Sequence, residues 1–133
     1  MTISFFITGL PKPQARARTF FKPGMKSPTT WSPKSDWFSA CYHKALENRP
    51  KQPLDCPLSV DLSIYLPRPK SAAKSKTRPD VRPDLDNYEK AILDALTQAG
   101  IWADDGRICE LHSQKFYADA AVKTGCQIDI KKL

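Results

Sequence analysis

The sequence predicts an α+β fold: a single domain with one mixed sheet of about four strands and two helices packed on it. Three observations predict it. Leu58–Leu66 (LSVDLSIYL) alternates apolar and polar side chains with a period of two. Two stretches, about Asp36–Glu47 and Leu85–Gln98, carry their apolar residues at helical spacing. Further segments with strand composition lie before and after them, giving the order strand, arm, helix, strand, flap, helix, strand, strand. With 133 residues, 41% of them hydrophobic, the chain can bury one core, and residues 1–133 show no repeat or second domain.

Thr2–Thr8 (TISFFIT) is rich in β-branched and aromatic residues and stops against Gly9, Pro11 and Pro13, which fits a strand. The apolar start lacks a basic flank and a small-residue cleavage site, so it does not read as a signal peptide. Nothing reads as a membrane span. The expected setting is the cytoplasm, with no membrane partner. Residues 9–35 form a basic arm without clean periodicity. They hold Lys12, Arg16, Arg18, Lys22, Lys26 and Lys34, no acid, and the interleaved aromatics Phe20, Phe21 and Trp31. Such a mixture can grip phosphates and stack on an unpaired base, or its aromatics can anchor the arm to the core.

A helix is expected over about Asp36–Glu47, starting after Ser32-Pro33 or at Ser35, with Trp37, Phe38, Cys41, Ala45 and Leu46 on its apolar face. Asn48–Pro57 contains three prolines and must be a connection. In Leu58–Leu66, Leu58, Val60, Leu62, Ile64 and Leu66 share the buried side, and Asp61 reads as a surface residue. Residues 67–82 carry Arg68, Lys70, Lys74, Lys76, Arg78 and Arg82 against the single acid Asp80. They read as a mobile surface flap that either clamps DNA or serves only as a solvated linker. Past the second helix, Arg107–Tyr117 and Ala121–Ile130 read as strands, and the three residues between them are short enough for an antiparallel hairpin.

The second helix carries the chemistry. Leu85, Tyr88, Ile92, Leu93 and Leu96 mark one face, Pro83 and Asp84 its start, and Gly100 its stop. Asp84 and Asp86 thus sit at a helix N-terminus, Lys90 lies one turn beyond Asp86, and a second acid pair, Asp104-Asp105, follows the stop. Acids so placed can hold a divalent cation through oxygen, and magnesium so held can activate water and steady a phosphoryl leaving group. A neighbouring lysine can stabilise the phosphate's developing charge. On spacing alone the other reading stands equally: Asp84 as a plain N-cap and Asp86 as a first-turn acid that suits the helix dipole.

The formal charge is +7 and the pI about 9.3, which points to an acidic polymer, nucleic acid first, or to a merely solvated basic surface. The four cysteines, Cys41, Cys56, Cys109 and Cys126, form no C-x-x-C pair and have no suitably spaced histidine, so a zinc site is not expected and reduced thiols are. His43 and His112 have no nucleophile or ligand cluster beside them in sequence and read as structural or surface residues.

The full stretch PDLDNYEKAILDALTQAGIWADD resembles the signature of the RusA family of Holliday-junction resolvases, small endodeoxyribonucleases found largely in phages and prophages. The match includes Asp84, Asp86, Asn87, Lys90, Asp94, Ala95, Leu96, Gly100, Trp102, Asp104 and Asp105. The arm resembles the PKPQxRxR region of phage members, so the likeness covers most of the chain, weakly outside residues 78–105. It implies a RusA-like fold. It also implies a metal-binding catalytic set at Asp84, Asp86 and Asp105, with Asp104 as a helper and Lys90 also needed. The implied cofactor is magnesium, with manganese an alternative, and the implied partner is branched DNA in the form of a four-way junction. Ligatable 5′-phosphate and 3′-hydroxyl nicks would result. DNA contacts are expected from Arg16, Arg18 and Lys22 in the arm, Lys76, Arg78 and Arg82 in the flap, and Lys115, a position commonly basic in the family.

Two departures bear on DNA contacts rather than on the reaction. Pro83 stands where some members have a basic residue, and Arg107 where a glutamine often follows the second acid pair. Alternatives stay open: a nuclease for flaps or forks, or a non-catalytic basic DNA-binding protein of the same fold. The presence of every motif acid and the lysine weighs against the last.

Geometry adds one more expectation. A helix from Leu85 to Gln98 is roughly 21 Å long at about 1.5 Å per residue, so its two ends hold the acid pairs apart. Ala99–Asp105 could just double back, since seven extended residues span at most about 23–25 Å. The other route is a two-fold homodimer in which Asp105 of one copy meets Asp84 and Asp86 of the other. The shared arrangement is favoured, because a four-way junction needs two symmetric cuts.

Overall fold

The structure, a computed structural model, describes residues 2–14, 18–20, 24, 29–31 and 35–133, with 18–20 and 29–31 described for their backbone alone. Strand β1 (Thr2–Thr8) is followed by the short β2 (Arg18–Phe20) and β3 (Thr29–Trp31), helix α1 (Asp36–Asn48) and β4 (Leu58–Leu66). Helix α2 (Leu85–Ala99), β5 (Ile108–Tyr117) and β6 (Gly125–Lys132) complete the order. The α+β expectation is met: one four-stranded mixed sheet, ordered β1-β6-β4-β5, carries both helices.

β1 and β6 pair antiparallel, as do β6 and β4, while β4 and β5 run parallel. A parallel pair needs a crossover. Here the flap and α2 supply it, so the acid-bearing helix is the crossover helix of the β4–β5 pair. Alternation does the rest. Leu58, Val60, Leu62 and Ile64 of β4 meet Ile128 and Ile130 of β6 and Phe5 and Ile7 of β1 in the core. Trp37, Cys41 and Ala45 of α1 and Tyr88, Ile92, Ala95 and Leu96 of α2 close it from above. Ser35 caps α1, its hydroxyl accepting the Phe38 N–H at 3.1 Å.

Two expectations fail. β5 and β6 do not form a hairpin, because β4 lies between them. Reaching the far side of β4 means crossing two strand spacings, roughly 10 Å, and residues 118–124 serve as that bridge, not as a tight turn. The Ala118 N–H donates to Leu66 O at 2.7 Å, and the Asp119 carboxylate accepts from the N–H groups of Ala121 and Val122. β6 accordingly starts at Gly125 rather than Ala121. Its first residue has φ 148°, and a Cβ there would fall 2.1 Å from Ile7 O. The second failure is in the arm, where β2 and β3 pair antiparallel. Three-residue strands are too short to show a period.

All four cysteines are free, with Cys41 and Cys126 buried. Asp61, His43 and His112 are exposed. Among the described residues, no helix is long and apolar enough to cross a membrane.

Candidate active site

Helix α2 begins with Asp84 at the N-cap, yet the Asp84 carboxylate makes no capping hydrogen bond. Only its carbonyl engages the turn, accepting the Asn87 N–H at 3.2 Å. The carboxylates of Asp84 and Asp86 are both exposed, beside backbone N–H groups of the first turn that draw negative charge. The base of the arm is tied to the same turn, Gln14 N–H donating to Asn87 O at 3.0 Å. Asp86, Lys90 and Asp94 follow at four-residue steps on one face, Asp86 and Lys90 exposed and Asp94 half-buried, with Lys90 Nζ 3.8 Å from Asp94 Oδ2.

Gly100 ends the helix in the left-handed conformation (φ 88°), its N–H donating to Leu96 O and Thr97 O. The chain then doubles back. Ile101 and Trp102 are buried, and the Leu54 N–H and Leu54 O bond Ile101 O and the Ala103 N–H, both at 2.9 Å. Trp102 Nε1 donates to Thr97 Oγ1 at 2.7 Å, fixing the return against the last turn of α2. Arg107 holds the far side of the loop through Asp55 at 2.5 Å.

This return delivers Asp104 and Asp105. Asp104 accepts the Gly106 N–H at 2.8 Å, and that bond, followed by one with Asp105, holds its carboxyl below the usual range. Asp105 moves the opposite way. Its hydrogen bond to Asp104 raises it most, then slight desolvation and the charges of Asp104 and Asp94, with Lys90 opposing. The Asp105–Arg107 turn packs against α2, the helix that carries Lys90 and Asp94 at its middle. Asp94 lies eight residues past Asp86, about 12 Å along the axis at 1.5 Å per residue. Among the described residues no three Asp, Glu, His or Cys side chains gather closely enough to hold a metal. The Asp105–Arg107 turn thus packs on α2 without gathering a three-acid cluster among the described residues.

The donor set still fits a hard divalent cation. It is all carboxylate oxygen, and the Asp84 donor is uncommitted to capping.

The basic residues divide. Arg16 and Lys22 lie outside the described residues, and Arg18 is described for its backbone alone. Lys76 pairs with Asp80 at 2.5 Å, which raises the lysine and lowers the acid. Arg78 lies over the Phe116 ring, 4.1 Å from its centre, and donates to Gln114 Oε1 and Lys115 O at 3.1 and 3.4 Å. Lys115 Nζ donates to Val81 O and Pro83 O at 3.0 and 3.1 Å. The flap expected to be mobile is thus fastened to β5 immediately before Asp84. Arg82 is exposed, with no hydrogen bond or ion pair among the described residues.

Sequence reasoning did not assign Asp94 or Glu89 to the site. Asp94 had a signal, its four-residue step from Lys90. Glu89, bonded to Ser113 Oγ at 2.5 Å, had none, because its partner sits on β5.

Comparison with known proteins identifies the family. The family described as endodeoxyribonuclease RusA matches residues 9–130. The uncharacterized protein YqaN of Bacillus subtilis (strain 168) is 34% identical over 131 residues, covering 88% of this chain and 89% of that protein. The crossover junction endodeoxyribonuclease RusA of Escherichia coli (strain K12) is 55% identical over 29 residues, 22% of this chain and 24% of that protein. The corresponding enzyme of Enterobacteria phage 82 matches to the same extent. On a family match over nearly the whole chain and a relative 34% identical along most of its length, the protein belongs to the RusA family of endodeoxyribonucleases.

Proposed function

We propose that this endodeoxyribonuclease resolves four-way DNA junctions in recombination and repair, using magnesium, as a two-fold dimer. One observation carries the reading: the return loop packs the Asp105 turn against α2, the helix on which the motif acid Asp86 and the motif lysine Lys90 stand exposed one turn apart. Asp84, Asp86 and Asp105, with Asp104 beside them, would hold the metal. When bound, it supplies the positive charge that activates water and steadies the leaving oxygen. Lys90 orients the scissile phosphate and offsets its developing charge. Asp84, Asp86, Lys90 and Asp105 are all solvent-exposed, so a DNA backbone can reach them directly.

Asp105 of the second copy would complete each site across the two-fold axis, since among the described residues one chain gathers no three acids closely enough to hold a metal. A dimer built so has two equivalent sites, matching the two cuts a four-way junction requires. The test compares a synthetic four-way junction with linear duplex of the same arms, in magnesium and in EDTA. Symmetric nicks on the junction in magnesium alone support the reading. Equal cutting of linear duplex, or none of the junction, removes it.

A further inference from the structure

Beside the start of α2 is an open hollow of about 440 Å³ that the catalytic reading leaves unused. Leu10, Leu66, Val81 and Tyr117 wall it, Tyr88 lies against the core at its base, and Pro83 joins it directly to Asp84. Its rim carries Lys12, Arg68 and Arg82, and no carboxylate lines it among the described residues. Leu10 and Val81 are 48% and 56% exposed and face water at its mouth. The Arg68 guanidinium lies over the Tyr117 ring, 4.5 Å from its centre, making a flat face of the kind on which a base can stack.

We infer that this hollow takes one unstacked nucleobase of the strand whose phosphate lies at Asp84 and Asp86, an inference that rests on the branched-DNA reading above. The chemistry selects that occupant. Apolar walls bearing an aromatic–guanidinium face favour a planar ring, and three cations without an acid favour an attached phosphate. The size falls in the range of single small-molecule sites, roughly 300–1,000 Å³, which admits a nucleotide and not a duplex. Unpaired bases are least costly to extrude at a branch, where stacking is already broken. The covalent bond from Pro83 to Asp84 ties the captured base to the cutting site.

The test places 2-aminopurine at successive positions near the branch of a four-way junction, in EDTA, and follows its fluorescence on binding. The wild-type protein should brighten one position several-fold as that base leaves the stack. Val81→Glu sets a carboxylate at the mouth, and Val81→Ser only removes the apolar face. Val81 is exposed, and among the described residues its one hydrogen bond is through its backbone carbonyl, so both variants should melt with wild type. Both should lose the brightening, and Val81→Glu should weaken junction binding by roughly 10-fold, within the range of one lost base stack. If the wild type nicks junctions in magnesium yet no position brightens, the base pocket falls and the resolvase reading stands. If it does not nick junctions but brightens an unpaired base in single-stranded DNA in a Val81-dependent way, the pocket stands and the resolvase reading falls. If the variants change only the oligomeric state, the hollow is an interface between copies and the inference is overturned.

Discussion

Asp84 holds the N-cap position of α2 and leaves the capping bond unmade. A residue kept only for capping would make that bond, so the Asp84 carboxylate is left uncommitted. Asp86→Asn should cut cleavage by more than about 100-fold, beyond the roughly 10–100-fold typical of outer-shell partners of a metal. Junction binding, read by gel shift in EDTA, should persist or tighten, since a charge that repels phosphate has gone. A nicking rate near wild type would disprove the assignment. Lys115 acts through what it holds. Lys115→Met keeps the alkyl stem but loses both bonds to the residues before Asp84. Limited proteolysis within residues 67–82 should accelerate, and kcat should fall by about an order of magnitude, as small misplacements near a reacting group do. Unaltered proteolysis would show that Lys115 does not fasten the flap. The acids were legible because they lie in one contiguous word. Lys115's bonding was not, because it joins residues more than thirty positions apart.

Among elements, the flap departs most from its composition. Six cations against one acid suggest a freely solvated segment, but Arg78 docks on Phe116 and Lys76 is paired with Asp80. This separates two roles that the sequence lumps together. Arg82→Gln should make the dependence of log K on log salt shallower by about 0.9, the value of one phosphate contact on duplex DNA. Arg78→Gln should leave that slope nearly unchanged and instead loosen the flap. Equal slopes for Arg82→Gln and wild type would reduce Arg82 to a solubilising charge. Elsewhere, periodicity revealed α1, β4 and α2 nearly residue for residue, because each is long enough to show its repeat. It could not reveal that β4 separates β5 from β6, since pairing order is set by how the crossover helix packs and not by the composition of either strand.

For the whole molecule, the sharpest expectation concerns subunit exchange. Inactive Asp86→Asn and inactive Asp105→Asn should together regain single nicks once mixed and exchanged, because each heterodimer then has one intact shared site. If exchange is verified and nicking stays absent, the site is completed within one chain. Stability should hinge on a different place. Gly125→Ala puts a methyl group onto Ile7 O at a backbone angle that alanine rarely adopts. The loss should reach at least about 2 kcal/mol in urea unfolding, in the range of core overpacking. The same β1–β6 seam governs how the protein is made. β6 is the last of these elements to leave the ribosome, yet it occupies an interior place in the sheet, between β1 and β4. During synthesis β1 therefore has no partner in this sheet, and Ile128 and Ile130 are not yet present to cover the apolar face of β4. A nascent chain stalled before Gly125 should be digested readily by protease, and one released past Lys132 should resist it. The cell meets this nuclease folded only after nearly all of its described residues have been synthesised, so a prematurely stopped product has an incomplete sheet and is more readily degraded than active.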